Sequence, residues 1–110
     1  MHWRMTRNRR DTNQKELLSC LDRAQYKYFV SADLKHGVPD LVVLAHSGIC
    51  VLFEVKHDGE SLTPDEEKFR DKFIGSPYHI VESCEEIFEI LRHYDMQEIV
   101  LFRERYMVKE

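Results

Sequence analysis

The sequence lacks any long apolar run, and this absence excludes a membrane-spanning helix, which needs about 18 consecutive apolar residues. The N-terminal stretch MHWRMTRNRR carries charges with no apolar segment behind them, so it is not typical of a signal peptide. Internal repeats, linkers and low-complexity stretches are also missing. With 110 residues and a globular composition, we expect one intracellular, cytoplasmic domain that has no membrane partner.

Cysteine is scarce as well. Cys20, Cys50 and Cys84 are an odd number, they lie far apart, and each is embedded in an apolar pattern. This spacing argues against a disulfide framework and against a zinc cluster. We therefore predict three reduced, buried cysteines.

Positive charge is unevenly distributed along the chain. Arg4, Arg7, Arg9 and Arg10 fall in the first ten residues; since the whole chain carries −4 and these arginines contribute +4, the remaining residues carry −8. Residues 1–10 are therefore predicted to form a basic arm, which either is a disordered, solvated terminus or reaches a phosphate backbone. The acidic body, residues 11–110, is expected to be the folded domain.

Helical and strand signals alternate along the body and predict a single compact α/β domain. Its element order is α-β-β-β-α-β-α-β, with a central mixed sheet flanked by helices. Capping boxes at Thr63 with Glu66 and at Ser83 with Glu86 mark the starts of two helices. Helices are predicted over 11–25, 64–74 and from 84 onward, and strands over 26–30, 41–44, 49–55, 78–81 and 98–108, the last at an edge or at a subunit contact.

The second and third strands are predicted to form a hairpin. The link is a three-residue loop, His46 to Gly48, in which Gly48 takes the left-handed position that such loops favour. Counting outward from this loop places Leu41 opposite Phe53 and Asp40 opposite Glu54. Like charges on directly opposed residues are destabilising unless a counter-charge is present, and a divalent cation would provide it.

Side chains alternate between the two faces of a strand, so Glu54 and Lys56 project from the same face as Asp40. The rest of the hairpin is apolar on both faces, as expected for a sheet that is covered on both sides. Two carboxylates and a lysine at one end of a buried hairpin suit magnesium or manganese. The alternative is that the three charges only mark the point where the strands leave the core.

The same residues resemble a known nuclease pattern. VPD ending at Asp40, followed by FEVK with Glu54 and Lys56, is similar to the PD-(D/E)XK signature of restriction, repair and recombination nucleases. Beyond this signature, GVPDLVVL, GICVLFEVKHDGESLTPDEEKF and YHIVESCEEIFEIL resemble the VRR-NUC family, the virus-type replication and repair nucleases, over most of the span from residue 37 to residue 91. The resemblance implies a restriction-endonuclease-like fold.

The resemblance also implies roles for single residues. Asp40, Glu54 and Lys56 would be catalytic, and Glu16 of the first helix, Asp40, Glu54 and the carbonyl of Val55 would hold one or two Mg²⁺ or Mn²⁺ ions. Lys56 would orient the attacking water and stabilise the developing negative charge. Related sequences tend to have glutamine at the position of Glu66; because the capping box explains Glu66, no catalytic role is assigned to it.

By resemblance, the expected activity is that of a metal-dependent, structure-selective endonuclease. It would hydrolyse phosphodiester bonds in branched DNA such as Holliday junctions during DNA replication, recombination or repair, in a setting such as phage replication inside a host cell. A homodimer is expected, with the last strand or the first helix as the contact. The predicted DNA contacts are Arg7, Arg9, Arg10, Lys35 and His57, together with Arg103, Arg105 and Lys109 of the tail.

Two other functions remain open on the sequence. One is a non-catalytic nucleic-acid-binding module that keeps the nuclease fold. The other is a single-strand or restriction-type nuclease, although no appended domain for reading a DNA sequence is visible in the chain.

Overall fold

Helices and strands alternate along the chain in this computed structural model, which describes residues 9–34, 36–57 and 59–97, with side chains from residue 14 onward. The seven elements are α1 Arg9–Arg23, β1 Lys27–Val30, β2 Leu41–Leu44, β3 Cys50–Val55, α2 Pro64–Lys72, β4 Tyr78–Val81 and α3 Cys84–Asp95. They confirm the predicted α/β class and the order of the first seven elements. The predicted strand over 98–108 lies outside the described residues.

The four strands form one mixed sheet in the order β1-β2-β3-β4. The first three strands pair antiparallel, whereas β3 and β4 are parallel and are joined through α2. A parallel pair needs such a crossover connection, because a tight turn can only join antiparallel neighbours. The mixed sheet agrees with the predicted architecture.

The β2–β3 hairpin has the predicted loop and register. Gly48 has a φ of 101°, and the Ala45 N–H donates to the Ile49 carbonyl at 2.8 Å, which closes the three-residue loop. Leu41 pairs with Phe53, so Asp40 and Glu54 follow at the next positions of the two strands. The loop type and the period of two therefore place both carboxylates at the same end of the hairpin.

The hydrophobic core lies on one face of this sheet, under α1 and α3. Leu17 and Leu21 of α1 and Ile87 and Leu91 of α3 are buried, and they belong to one cluster with the inward-facing strand residues. The strand members of the cluster are Leu41, Val43, Val51, Phe53, Val55 and Val81. Among the described helices, none is long and apolar enough to cross a membrane.

The opposite face of the sheet is less covered than the sequence predicts. Phe29 is 62% exposed, Ile80 47% and Leu44 38%, and Cys50 is exposed as well. Within the described part of the chain, this face is buried at the end that carries Glu54 and Lys56, where Lys56 pairs with Glu66 of α2. The expectation of a sheet covered on both sides is therefore wrong for the rest of this face, since an apolar strand pattern does not tell which helix lies over it.

The cysteines also differ from the prediction. Cys20 of α1 and Cys84, the first residue of α3, form a disulfide with a Cα–Cα distance of 6.4 Å, and Cys50 is free and exposed. The prediction of three reduced, buried cysteines is wrong. The bonded pair is 64 residues apart in sequence, and spacing along the chain does not show that the two helices meet.

Candidate active site

Three charged residues predicted from the hairpin register lie together at the end of β3. Asp40 and Lys56 are each 5% exposed, and Glu54 is fully buried. Charged side chains are almost never buried to this degree unless they are paired. The alternative, that these charges mark the exit of the strands into solvent, does not fit, because all three lie inside the fold.

The position of Asp40 is set by the strands on both sides of it. On one side, the Ser31 hydroxyl donates to the Pro39 carbonyl at 2.6 Å, and the Ser31 N–H donates to the Asp40 carbonyl at 2.8 Å. On the other side, the Asp40 carboxylate accepts a hydrogen bond from the Val55 N–H at 2.8 Å. The backbone contacts thereby hold the carboxylate next to Glu54.

Lys56 is held between two carboxylates. Its ammonium group lies 2.8 Å from Glu66 Oε1 and 3.5 Å from Glu54 Oε2. Its backbone N–H donates to the Val81 carbonyl at 2.9 Å, which extends the β3–β4 pairing by one residue. The lysine therefore has a fixed backbone and a side chain directed at the buried acidic groups.

Glu66 is the site residue that sequence reasoning did not select. The predicted capping box is present, since the Thr63 N–H donates to Glu66 Oε1 at 2.8 Å and the Thr63 hydroxyl accepts from the Glu66 N–H. The same oxygen Oε1 also accepts from Lys56, so Glu66 caps α2 and contacts the site lysine at the same time. The sequence contained one signal for a site role of Glu66, because related VRR-NUC sequences tend to have glutamine at this position.

Burial governs the electrostatics of the two glutamates. It raises the pKa of Glu54 to about 8, with the Asp40 and Glu66 carboxylates adding to the rise and Lys56 partly opposing it. Burial alone would also raise the pKa of Glu66, but hydrogen bonds from Lys56 and Thr63 outweigh it and hold that pKa below its usual value. At neutral pH the metal-free site therefore keeps a proton on Glu54 while Glu66 is ionised.

This proton should make the metal-free protein less stable as pH rises. Glu54 titrates near 4.3 in an unfolded chain, so between that value and about 8 the folded state binds more protons than the unfolded state. We expect the free energy of unfolding in EDTA to fall by a few kcal/mol between pH 5.5 and pH 8.5, because one pKa unit corresponds to about 1.4 kcal/mol. Denaturant titrations at several pH values measure this slope.

The control for this prediction is Glu54→Gln, which removes the titrating group and keeps its shape. The variant should lose most of the downward slope. His79, whose pKa is lowered by its burial, contributes in the opposite direction in both proteins, so it cancels in the comparison. Equal slopes in the two proteins would contradict the assignment of the shift to Glu54.

The donors of this site fit Mg²⁺ or Mn²⁺. Asp40 and Glu54 offer hard carboxylate oxygens at neighbouring positions, and the carbonyl of Val55 lies between Glu54 and Lys56 in the chain. Within the described residues, no three Asp, Glu, His or Cys side chains form a ready-made metal cage. Mg²⁺ does not require one, because it is usually bound through one or two carboxylates and keeps several waters.

The structure does not place Glu16 in the buried group. Glu16 is exposed on α1 and lines a groove of about 650 Å³ together with Glu82, Cys84 and Glu85. The residues that line this groove do not include Asp40, Glu54 or Lys56. The role of Glu16 in metal binding stays a prediction.

Of the predicted DNA contacts, only His57 has a described side chain. It is half-buried and follows Lys56, and its backbone N–H donates to Glu60 at 2.7 Å. Arg7, Lys35 and the tail residues lie outside the described residues, and for Arg9 and Arg10 the structure describes only the backbone, in the first turn of α1.

Comparison with known proteins gives a consistent result. The family model of the VRR-NUC domain matches residues 2–85. A solved structure of a VRR_NUC domain superposes with a TM-score of 0.63 and 21% sequence identity, covering 80% of this chain and 99% of the other. No curated protein matches. The structural likeness supports the fold, and the family match extends over more than half of the chain.

Proposed function

Because the chain belongs to the VRR-NUC family, whose members are generally nucleases, we propose that it is a metal-dependent DNA endonuclease that cuts branched DNA such as Holliday junctions. The observation that carries this proposal is the burial of Asp40, Glu54 and Lys56 at one end of two hydrogen-bonded strands. A buried acidic pair next to a lysine has a high energetic cost in a purely structural role. In a nuclease the same arrangement binds a cation and a phosphate.

The carboxylates provide the metal-binding part of the site. Asp40 and Glu54, with the carbonyl of Val55 and with Glu16 of α1, would hold one or two ions. A bound Mg²⁺ or Mn²⁺ supplies charge neutralisation at the phosphate and acidifies a water. The rigid backbone contacts of Asp40 support this role, because preorganised ligands do not have to be ordered during the reaction.

Lys56 provides the fixed positive charge. With Glu66 at 2.8 Å and Glu54 at 3.5 Å, its ammonium group is kept beside the carboxylates rather than in solvent. It would orient the attacking water and stabilise the negative charge that develops on the phosphate. Glu66 would act as its positioning residue, because one oxygen of Glu66 joins Lys56 to the start of α2.

The substrate range and the homodimer are proposed from membership of the VRR-NUC family. Residues 11–110 would form the nuclease domain, and the basic residues of the arm 1–10, with Lys35 and His57, would contact the DNA backbone. A homodimer would present two sites to the two strands of a junction, as the symmetry of such a substrate favours. This activity belongs to DNA replication, recombination or repair.

Cleavage of a panel of labelled DNAs tests the function. Four-way junctions, splayed arms, flaps and plain duplex are incubated with the wild type in Mg²⁺, Mn²⁺ or EDTA, beside Glu54→Gln. We expect cutting of branched DNA only with metal, and a loss of about 10³-fold in the variant, since the metal site contributes several kcal/mol to the transition state.

Other outcomes of the same experiment identify the alternatives. Tight binding of junctions without any cutting would establish a non-catalytic binding module and overturn the proposal. Faster cutting of single strands or of plain duplex than of junctions would instead indicate a single-strand or restriction-type nuclease.

A further inference from the structure

Tyr78 places a hydroxyl group beside the candidate site without a visible structural reason. It is the first residue of β4 and pairs with Leu52 of β3, two residues before Glu54, so its side chain lies on the same face of the sheet as that glutamate. The hydroxyl oxygen is buried, and within the described part of the chain it has no hydrogen-bond partner. Such a group requires an explanation.

Packing explains the ring of Tyr78 but not its hydroxyl. The ring lies against Phe69 of α2 with a centroid distance of 6.1 Å, and a phenylalanine would make the same contact. A buried donor without a partner destabilises the fold, and phenylalanine would avoid this cost. In a purely structural role the tyrosine would therefore be the worse residue.

The surroundings of the hydroxyl identify what it can bind. Burial raises the pKa of Tyr78 to about 12; the Glu54 and Glu66 carboxylates and, more weakly, Asp40 raise it as well, and Arg70 opposes them. The phenol therefore stays protonated in the physiological range and acts as a hydrogen-bond donor. Among the acidic groups, Glu54 and Glu66 affect the pKa of Tyr78 most. Glu54 is proposed to bind the cation, and Glu66 is proposed to position Lys56.

We propose that Tyr78 is a positioning residue for the metal site, donating its O–H hydrogen bond to a carboxylate of Asp40, Glu54 or Glu66 when the site binds Mg²⁺ or Mn²⁺. The inference rests on the proposed function, because it needs a cation at these carboxylates. A carboxylate that directs one oxygen to a metal keeps lone pairs that need donors, and such outer contacts orient the ligand. Removing one such hydrogen bond to a metal ligand typically weakens metal binding by about 10–100-fold.

Calorimetric titration of Mn²⁺ into wild type and Tyr78→Phe tests this inference directly. We expect the Kd for Mn²⁺ to rise by about 10–100-fold in the variant. The metal-free variant should be as stable as the wild type or more so, since it loses a buried unpartnered donor. Cleavage should be slower at limiting Mn²⁺ and should recover at saturating Mn²⁺, because the tyrosine acts through the metal ligands.

Tyr28→Phe is the matched control. Tyr28 lies on β1, and its hydroxyl donates to Asp22 at 2.9 Å; neither residue is among the proposed metal ligands. This variant should bind Mn²⁺ like the wild type. That result would show that the loss of any tyrosine hydroxyl is not sufficient to weaken Mn²⁺ binding.

The outcomes separate this inference from the proposed function. An unchanged Kd in Tyr78→Phe, with metal-dependent cleavage by the wild type, overturns the role of Tyr78 alone. A change in stability without a change in Kd does the same, since it shows a structural role only. If the wild type binds no Mn²⁺, both the inference and the metal-dependent function are refuted.

Discussion

Replacement of Lys56 by methionine is expected to lower the DNA cleavage rate by about 10³-fold or more and to destabilise the fold by about 3–5 kcal/mol at neutral pH. Lys56 is 5% exposed, and its ammonium group is within 3.5 Å of Glu54 and 2.8 Å of Glu66. Methionine has a similar length without the charge, so the variant removes the cation from a buried acidic environment. Removing one partner of a buried pair is costly because the remaining charge stays desolvated.

A second variant separates stability from chemistry. In Lys56→Met/Glu66→Gln, one negative charge is removed together with the positive charge, so we expect most of the stability to return while cleavage stays absent. Lys68→Met, which changes an exposed lysine of α2, should leave both properties unchanged. Denaturant unfolding and cleavage of a labelled junction measure the two effects. Wild-type cleavage by folded Lys56→Met would refute the role proposed for this residue.

The second large effect is expected from Gly37→Ala. Gly37 has a φ of 78°, and a Cβ at this position would overlap the carbonyl of Asp65 and lie 2.7 Å from the backbone nitrogen of Glu66. The left-handed conformation costs alanine about 1–2 kcal/mol, and overlap with backbone atoms typically adds about 1–3 kcal/mol. Because the first turn of α2 must move to relieve it, Glu66 is also displaced from Lys56, and cleavage should fall with stability.

Gly75→Ala is the matched control for this prediction. Gly75 has a comparable φ of 92°, but a Cβ there would meet no atom within 4 Å. Gly75→Ala should therefore show only the conformational cost of about 1–2 kcal/mol and normal cleavage. Denaturant unfolding and junction cleavage of both variants give the comparison. If the two variants are equally stable, close packing between Gly37 and α2 does not contribute to the fold.

The predictable part of the site is the part built from local pairing. The three-residue loop ending at Gly48 connects β2 and β3 directly, so counting along two strands was sufficient to place Asp40 beside Glu54. The two helix starts at Thr63 and Ser83 were also predictable, because the N-cap contacts link residues only three positions apart. Both cases depend on short sequence separations, over which the geometry of the chain is nearly fixed.

The contacts that were not predicted join elements that are separate in the chain. The Cys20–Cys84 disulfide depends on how α1 packs on α3, and apolar periodicity shows only which face of each helix is buried. The same limit applies to the exposed sheet face around Phe29 and Ile80. A strand pattern indicates that a face can be covered, whereas the tertiary arrangement determines whether a helix covers it.

The sequence by itself determined the α/β order, the hairpin register and therefore the neighbouring positions of Asp40 and Glu54, because each depends on local spacing. Only the tertiary structure decided that α2 closes this end of the sheet. That closure brings Glu66 to Lys56 and places Phe69 against Tyr78. The physical reason is that the position of α2 depends on close packing against Gly37 and β4, which no pattern along a single segment records.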